Sequence, residues 1–174
     1  MGHTLVTRWT EKDEQHLQAM LVKAGAVNVN KIPFGRPCDR KKADQVLRHH
    51  VTLFHWGKEK DAYYLEKLRN YQFPAPCKIW AIRPEWKRAE EGSLLLRLVI
   101  RPDPEAERMI TALEKQLHLK AEAKLHITLA VSKNHSMIHT LCDEMEKQAF
   151  PFPLTVTGLD LYKIWDPVVL VHSF

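Results

Sequence analysis

The sequence predicts an α+β fold. Strand-like and helix-like segments mix along all 174 residues with no Ser/Gly-rich linker or low-complexity tract between them. Two strand-to-strand connections favour antiparallel pairing. An internal repeat is the third observation, and it leads us to expect one domain, residues 1–174, built from two related units at approximately 48–82 and 124–158.

Residues 4–9 alternate as a strand. Residues 11–23 form an amphipathic helix with Leu17, Met20 and Leu21 on one face, Thr10 as N-cap and Gly25 as its stop. Two prolines and a glycine make 31–37 a loop. The β-branched and aromatic run 51–56 reads as a strand, and 61–70 as a helix. Strands follow at 78–82 and 94–100, with Glu91-Gly92 near the turn between them. Asp103 caps a helix at 104–117 that carries Pro104 in its first turn. A strand at 124–131, a helix at 134–148 capped by Asn134, and strands at 154–162 and 168–172 complete the chain.

Apolar residues make up 45% of the chain, which suits a folded core. Lys and Arg outnumber Asp and Glu by 26 to 21, and the resulting mild positive charge suits a polyanionic ligand. The three cysteines, Cys38, Cys77 and Cys142, are odd in number and widely spaced. That argues against a disulfide framework or zinc ribbon and for reduced thiols in a cytoplasmic setting. The N-terminus has no apolar leader segment, and no run of eighteen apolar residues occurs. Neither a signal peptide nor a membrane span is expected.

The repeat is the most informative feature. His50-Val51-Thr52-Leu53 precedes a helix, then Phe73-Pro74-Ala75-Pro76 and a strand. His126-Ile127-Thr128-Leu129 precedes a helix, then Phe150-Pro151-Phe152-Pro153 and a strand. His50 to Phe73 spans 23 positions (73 − 50) and His126 to Phe150 spans 24 (150 − 126), so one inserted residue brings the units into register. One His-x-Thr carries little information among ten histidines. Two copies in matched surroundings carry much more.

Side chains alternate faces along a strand. Each His therefore shares a face with its Thr, opposite an apolar pair that can bury under a helix. Duplicated units tend to pack about a pseudo-two-fold, which would bring both polar faces to one cleft. Two imidazoles there can serve a phosphodiester, one taking a proton from water and the other giving one to the leaving oxygen. The Thr hydroxyls can donate to the non-bridging oxygens. This scheme calls for no metal or other cofactor.

These paired motifs, their placement on strands and the chain length resemble the two-histidine (2H) phosphoesterase superfamily, including the RNA 2′,3′-cyclic phosphodiesterases, also called 2′-5′ RNA ligase-like proteins. The resemblance spans most of the chain. It implies a bilobal α+β fold, two antiparallel sheets with flanking helices about a pseudo-two-fold and a central cleft. It implies a hydrolase that opens 2′,3′-cyclic phosphates to 2′-phosphates without metal, with ligation as the possible reverse reaction. His50, Thr52, His126 and Thr128 are then the catalytic set, with His126 activating water and His50 protonating the leaving oxygen. RNA ends or small nucleotides are the implied partners, and a monomer with no obligate protein partner is expected. The second motif departs from many relatives, which place an arginine sooner than Ala130-Val131-Ser132-Lys133 does; Lys133 is the candidate for that role.

Tyr162 on a late strand is a candidate base-stacking group, and Arg8 and Arg36 are candidate phosphate cations. His49 and His55 read as structural. His135 and His139 have metal-ligand spacing on a helix, without the intervening Glu or a third ligand of a metal site. Trp9, Trp56, Trp80, Trp86 and Trp165 read mainly as core. Two other readings stay open: hydrolysis of another small substrate (a 2′-5′ oligonucleotide, a cyclic dinucleotide, an ADP-ribose cyclic phosphate), and a non-catalytic nucleotide-binding module.

Overall fold

The computed structural model describes residues 2–26, 48–164 and 169–174. The expected loop at 31–37, with Arg36, and also Cys38 and Trp165 lie outside the described residues.

Strand β1 (Gly2–Trp9) leads into helix α1 (Glu11–Lys23), which Thr10 caps by accepting the Asp13 N–H. Strand β2 (Thr52–Gly57) carries the first motif and passes through a short 3-10 turn into α2 (Asp61–Leu68). A long hairpin follows, β3 (Cys77–Arg88) and β4 (Leu94–Pro102). Helix α3 (Pro104–Leu117) is capped by Asp103, which accepts the Ala106 N–H. Strand β5 (His126–Ser132) carries the second motif, and Asn134 caps α4 (His135–Glu146). Strands β6 (Phe152–Ile164) and β7 (Val169–Ser173) complete the fold.

The caps match expectation because each is decided by a few neighbouring residues. Strand β3 outruns its expected span of 78–82 and passes through Pro84. Its β6-facing edge pairs only over Cys77–Ala81, so Pro84 lies where β3 has a strand on one side alone, an edge position that tolerates a missing N–H.

All pairings are antiparallel, in the order β2-β1-β6-β3-β4-β5, with β7 also on β6. The two separate sheets that the resemblance implies are, among the described residues, halves of one seven-stranded sheet, because β3 and β6 hydrogen-bond directly over Cys77–Ala81 and join them. Exchanging β1 with β4, β2 with β5 and β3 with β6 turns this order into its own reverse. The register obeys the same exchange. Phe73 and Phe150 are 77 positions apart (150 − 73). Moving each residue of the pair Ile79↔Leu154 by 77 gives Val156↔Cys77, which is also a pair. Strand order and register are thus symmetric under the same exchange, about the β3–β6 pair.

The apolar faces of both halves are packed beneath helices. On α3, Ala106, Met109, Ile110, Leu113 and Leu117 recur at helical spacing and are all buried. The alternate residues of the motifs, Val51, Leu53, Ile127 and Leu129, are at most 1% exposed. Each side chain so buried contributes roughly 1.5–3 kcal/mol, which anchors the motif strands from behind. Among the described residues Cys77 and Cys142 are free and buried, and burial pushes both thiols up to about 11. They stay protonated thiols and act as small apolar groups. No described helix is long and apolar enough to cross a membrane.

Candidate active site

The two motifs meet. Val51 and Ile127 form an isolated antiparallel bridge between the starts of the two motif strands. Residues flanking an antiparallel bridge point to the other side of the strands from the bridged pair. His50, Thr52, His126 and Thr128 therefore share the face opposite Val51 and Ile127, with His50 across from Thr128 and Thr52 across from His126. All four are partly exposed, whereas their alternate neighbours are buried.

The local geometry is the same in both copies. The His50 Nδ1 lies 2.9 Å from the Arg48 carbonyl, and the His126 Nδ1 lies 2.9 Å from the Lys124 carbonyl, two residues upstream in each case. A carbonyl only accepts, so each Nδ1 carries the proton it donates. In the neutral ring the lone pair is then on Nε2. Each motif strand also carries a β-bulge at the same place. Leu5 pairs Phe54 while Val6 pairs Thr52, and Leu96 pairs Ala130 while Arg97 pairs Thr128. The extra residues are Leu53 and Leu129, each the fourth position of its motif. A bulge adds local twist and re-aims the side chains that precede it. It also resets the alternation. His55, which a regular strand would bury beside Val51 and Leu53, is exposed, while Leu53, Phe54 and Trp56 are buried.

His49 is buried and its Nδ1 lies 2.9 Å from Glu14 Oε1. Glu14 also accepts from the His49 backbone N–H and from Trp9 Nε1. Burial alone would raise this carboxyl. The hydrogen bonds and charge of His49, with help from Trp9, win and hold Glu14 down to about 2. Glu14 thus fixes the residue directly before His50. For His50 the order of effects differs. Burial pushes its imidazole down to about 4, against the opposing pull of the Arg48 carbonyl, with His49 and His126 lowering it further and Glu14 raising it.

Cavities open beside each histidine. One of about 310 Å³ is lined by His50, Tyr162, Arg8 and Arg48 among others. Another of about 1040 Å³ is lined by His126, Lys124, Arg83 and Arg97 among others. Tyr162 and Arg8 are thus on the His50 side. Arg8 binds Asp160 and donates to the Leu159 and Phe174 carbonyls, so its fork ties the C-terminus to β6. It crosses β6 at Gly158, where a Cβ would lie 2.1 Å from Arg8 Nη2. Lys133 is exposed beyond the end of β5 and lines neither cavity. The helical histidines go elsewhere. His135 Nε2 contacts the Gly92 carbonyl at 2.7 Å, and His139 packs edge-on against Trp86. Among the described residues no group of three His, Cys, Asp or Glu is placed to hold a metal.

Two site residues escaped the sequence reading, though both left a signal. Arg97 interrupts an otherwise apolar run, 94–100. Glu14 stands three and seven positions before Leu17 and Leu21, on the apolar stripe of α1.

No protein-family model matches the sequence, and no curated protein matches it. Solved structures do. The crystal structure of TT0787 of Thermus thermophilus superposes with a TM-score of 0.56 at 16% identity, covering 100% of this chain and 97% of that one. E. coli LigT complexed with 3′-AMP gives 0.53 at 13% identity, covering 99% and 95%. Kluyveromyces marxianus Usb1 with uridine monophosphate gives 0.53 at 11%, covering 97% and 96%. Similarity of this kind, over nearly the full length of each chain, shows that this chain shares the fold of these proteins, of the α+β class that the sequence predicts.

Proposed function

We propose that this chain is a phosphodiesterase that opens 2′,3′-cyclic phosphates, on RNA ends or nucleotides, to 2′-phosphates by two-histidine acid–base catalysis. The observation that supports this reading is the Val51–Ile127 bridge, which sets both His/Thr pairs on one face; in the proposed mechanism their Nε2 atoms, across each ring from the Nδ1 contacts, transfer the protons. Water attacks phosphorus as one Nε2 takes its proton. The P–O3′ bond breaks as the other Nε2–H protonates O3′, leaving a 2′-phosphate and a 3′-hydroxyl. Thr52 and Thr128 donate to the non-bridging oxygens. Solved structures of this fold with 3′-AMP and uridine monophosphate support a nucleotide ligand.

Burial of His50 also bears on the division of labour. An imidazole held down to about 4 is neutral at pH 7, the form that accepts a proton. This favours His50 as the acceptor and His126 as the donor, the reverse of the division that the resemblance implies. A base works deprotonated, so kcat/KM should be lost as pH falls through about 4 rather than near 6.5. Activity confined below pH 4 would return the donor role to His50.

Incubation with the four nucleoside 2′,3′-cyclic monophosphates and a short cyclic-phosphate-ended RNA, in EDTA, tests the reaction itself. Formation of 2′-phosphates is expected, and the relative rates rank RNA against mononucleotide. Conversion only after adding a divalent metal would overturn the mechanism. No conversion of any of the five would overturn the proposed reaction.

A further inference from the structure

The two halves of the site match at the histidines, the threonines and the bulges, and differ beside the threonines. Directly opposed residues in antiparallel strands share a face. In the first half that row runs Thr52, Val6, Asp160. In the second it runs Thr128, Arg97, Glu85. Each row ends in a carboxylate, but the neighbour of Thr52 is a valine and the neighbour of Thr128 is a guanidinium. Arg97 is 9% exposed, unusual for an arginine, and lines the same cavity as His126. Glu85 Oε1 accepts from its Nε at 2.6 Å and also pairs with its Nη2. The donors on Nη1 are engaged in neither of these contacts. Arg83 also reaches Glu85, at 4.0 Å, so the carboxylate divides its charge between two guanidinium groups.

We propose that Arg97 is the phosphate-binding cation of this site, donating from Nη1 to a non-bridging oxygen of the phosphate held between the two His/Thr pairs. This rests on the proposed site and takes over the task that the sequence reading gave to Lys133. It also makes the site polar. Anionic oxygens are drawn toward the Thr128 side, so a near-symmetric pair of histidines receives its substrate in one orientation. A fork that is preorganised by Glu85 loses little freedom on binding.

Inorganic phosphate is the probe, titrated calorimetrically at pH 7 into wild type, Arg97→Lys and Glu85→Gln. Arg97→Lys keeps the charge but loses the fork, and phosphate should bind about tenfold more weakly. Glu85→Gln removes the competing negative charge while its amide oxygen can still accept from Arg97 Nε and hold the fork, so phosphate should bind several-fold more tightly. A pair with only a structural role would weaken binding in both variants or change neither. Either result overturns the proposal, as does a wild type that binds no phosphate. If Arg97→Lys fails to fold, the Nε–H resonance of Arg97 in the wild type decides: it must shift during the titration. Phosphate bound through Arg97 by a protein that converts no cyclic phosphate would sink the proposed function and leave this inference standing.

Discussion

His50→Ala and His126→Ala should each lower kcat on a 2′,3′-cyclic phosphate by about 10² to 10⁴-fold, the contribution of one positioned proton transfer. Both histidines are partly exposed on the cleft face, and their strands are anchored by buried neighbours, so the folded state should survive both changes. Thermal melts should therefore stay close to wild type while turnover collapses. The double variant should be little slower than either single one, because groups that act as a unit are non-additive. Thr52→Val and Thr128→Val should cost less than either histidine, since each removes one donor and no proton transfer. If either alanine variant keeps a wild-type rate, the two-histidine mechanism is wrong.

The legible part of this fold was the part that short stretches decide. Thr10, Asp103 and Asn134 cap their helices because a side chain and a backbone N–H within three residues settle the matter. The His-x-Thr copies were legible because the repeat makes each one check the other. What could not be read depends on contacts between distant strands. The bulges at Leu53 and Leu129 exist only relative to β1 and β4, and a simple alternation of faces therefore misplaces His55. The Val51–Ile127 bridge joins residues 76 positions apart (127 − 51). It sets the two similar motifs side by side on one face. Arg97 and Glu14 fall between these cases. A charge inside an apolar pattern announces a buried partner, but only the register names Glu85 for one and only the packing names His49 for the other.

Glu14→Leu should be the most destabilising of the changes considered. Glu14 is 2% exposed and its two oxygens serve the His49 imidazole, the His49 N–H and Trp9 Nε1. Removing one partner of such a buried network strands the others without water, at about 3–5 kcal/mol. For a chain of this length that is roughly 6–20 °C of Tm. Acid titration offers a second reading of the same contacts. Glu14 titrates at about 2 in the fold against an ordinary value of 4.5. With a depressed folded value, its stabilisation is complete above 4.5 and is lost as pH falls toward 2. The gap corresponds to about 3 kcal/mol. Glu14→Gln should therefore be less stable than wild type at neutral pH, and the difference should shrink between pH 4.5 and 2 as the wild-type carboxylate is protonated. A difference that stays constant across that window would mean that the ionised carboxylate contributes nothing and only the side-chain shape matters. Because His49 immediately precedes His50, a wild type that loses this contact in acid should lose the placement of its first histidine together with its stability.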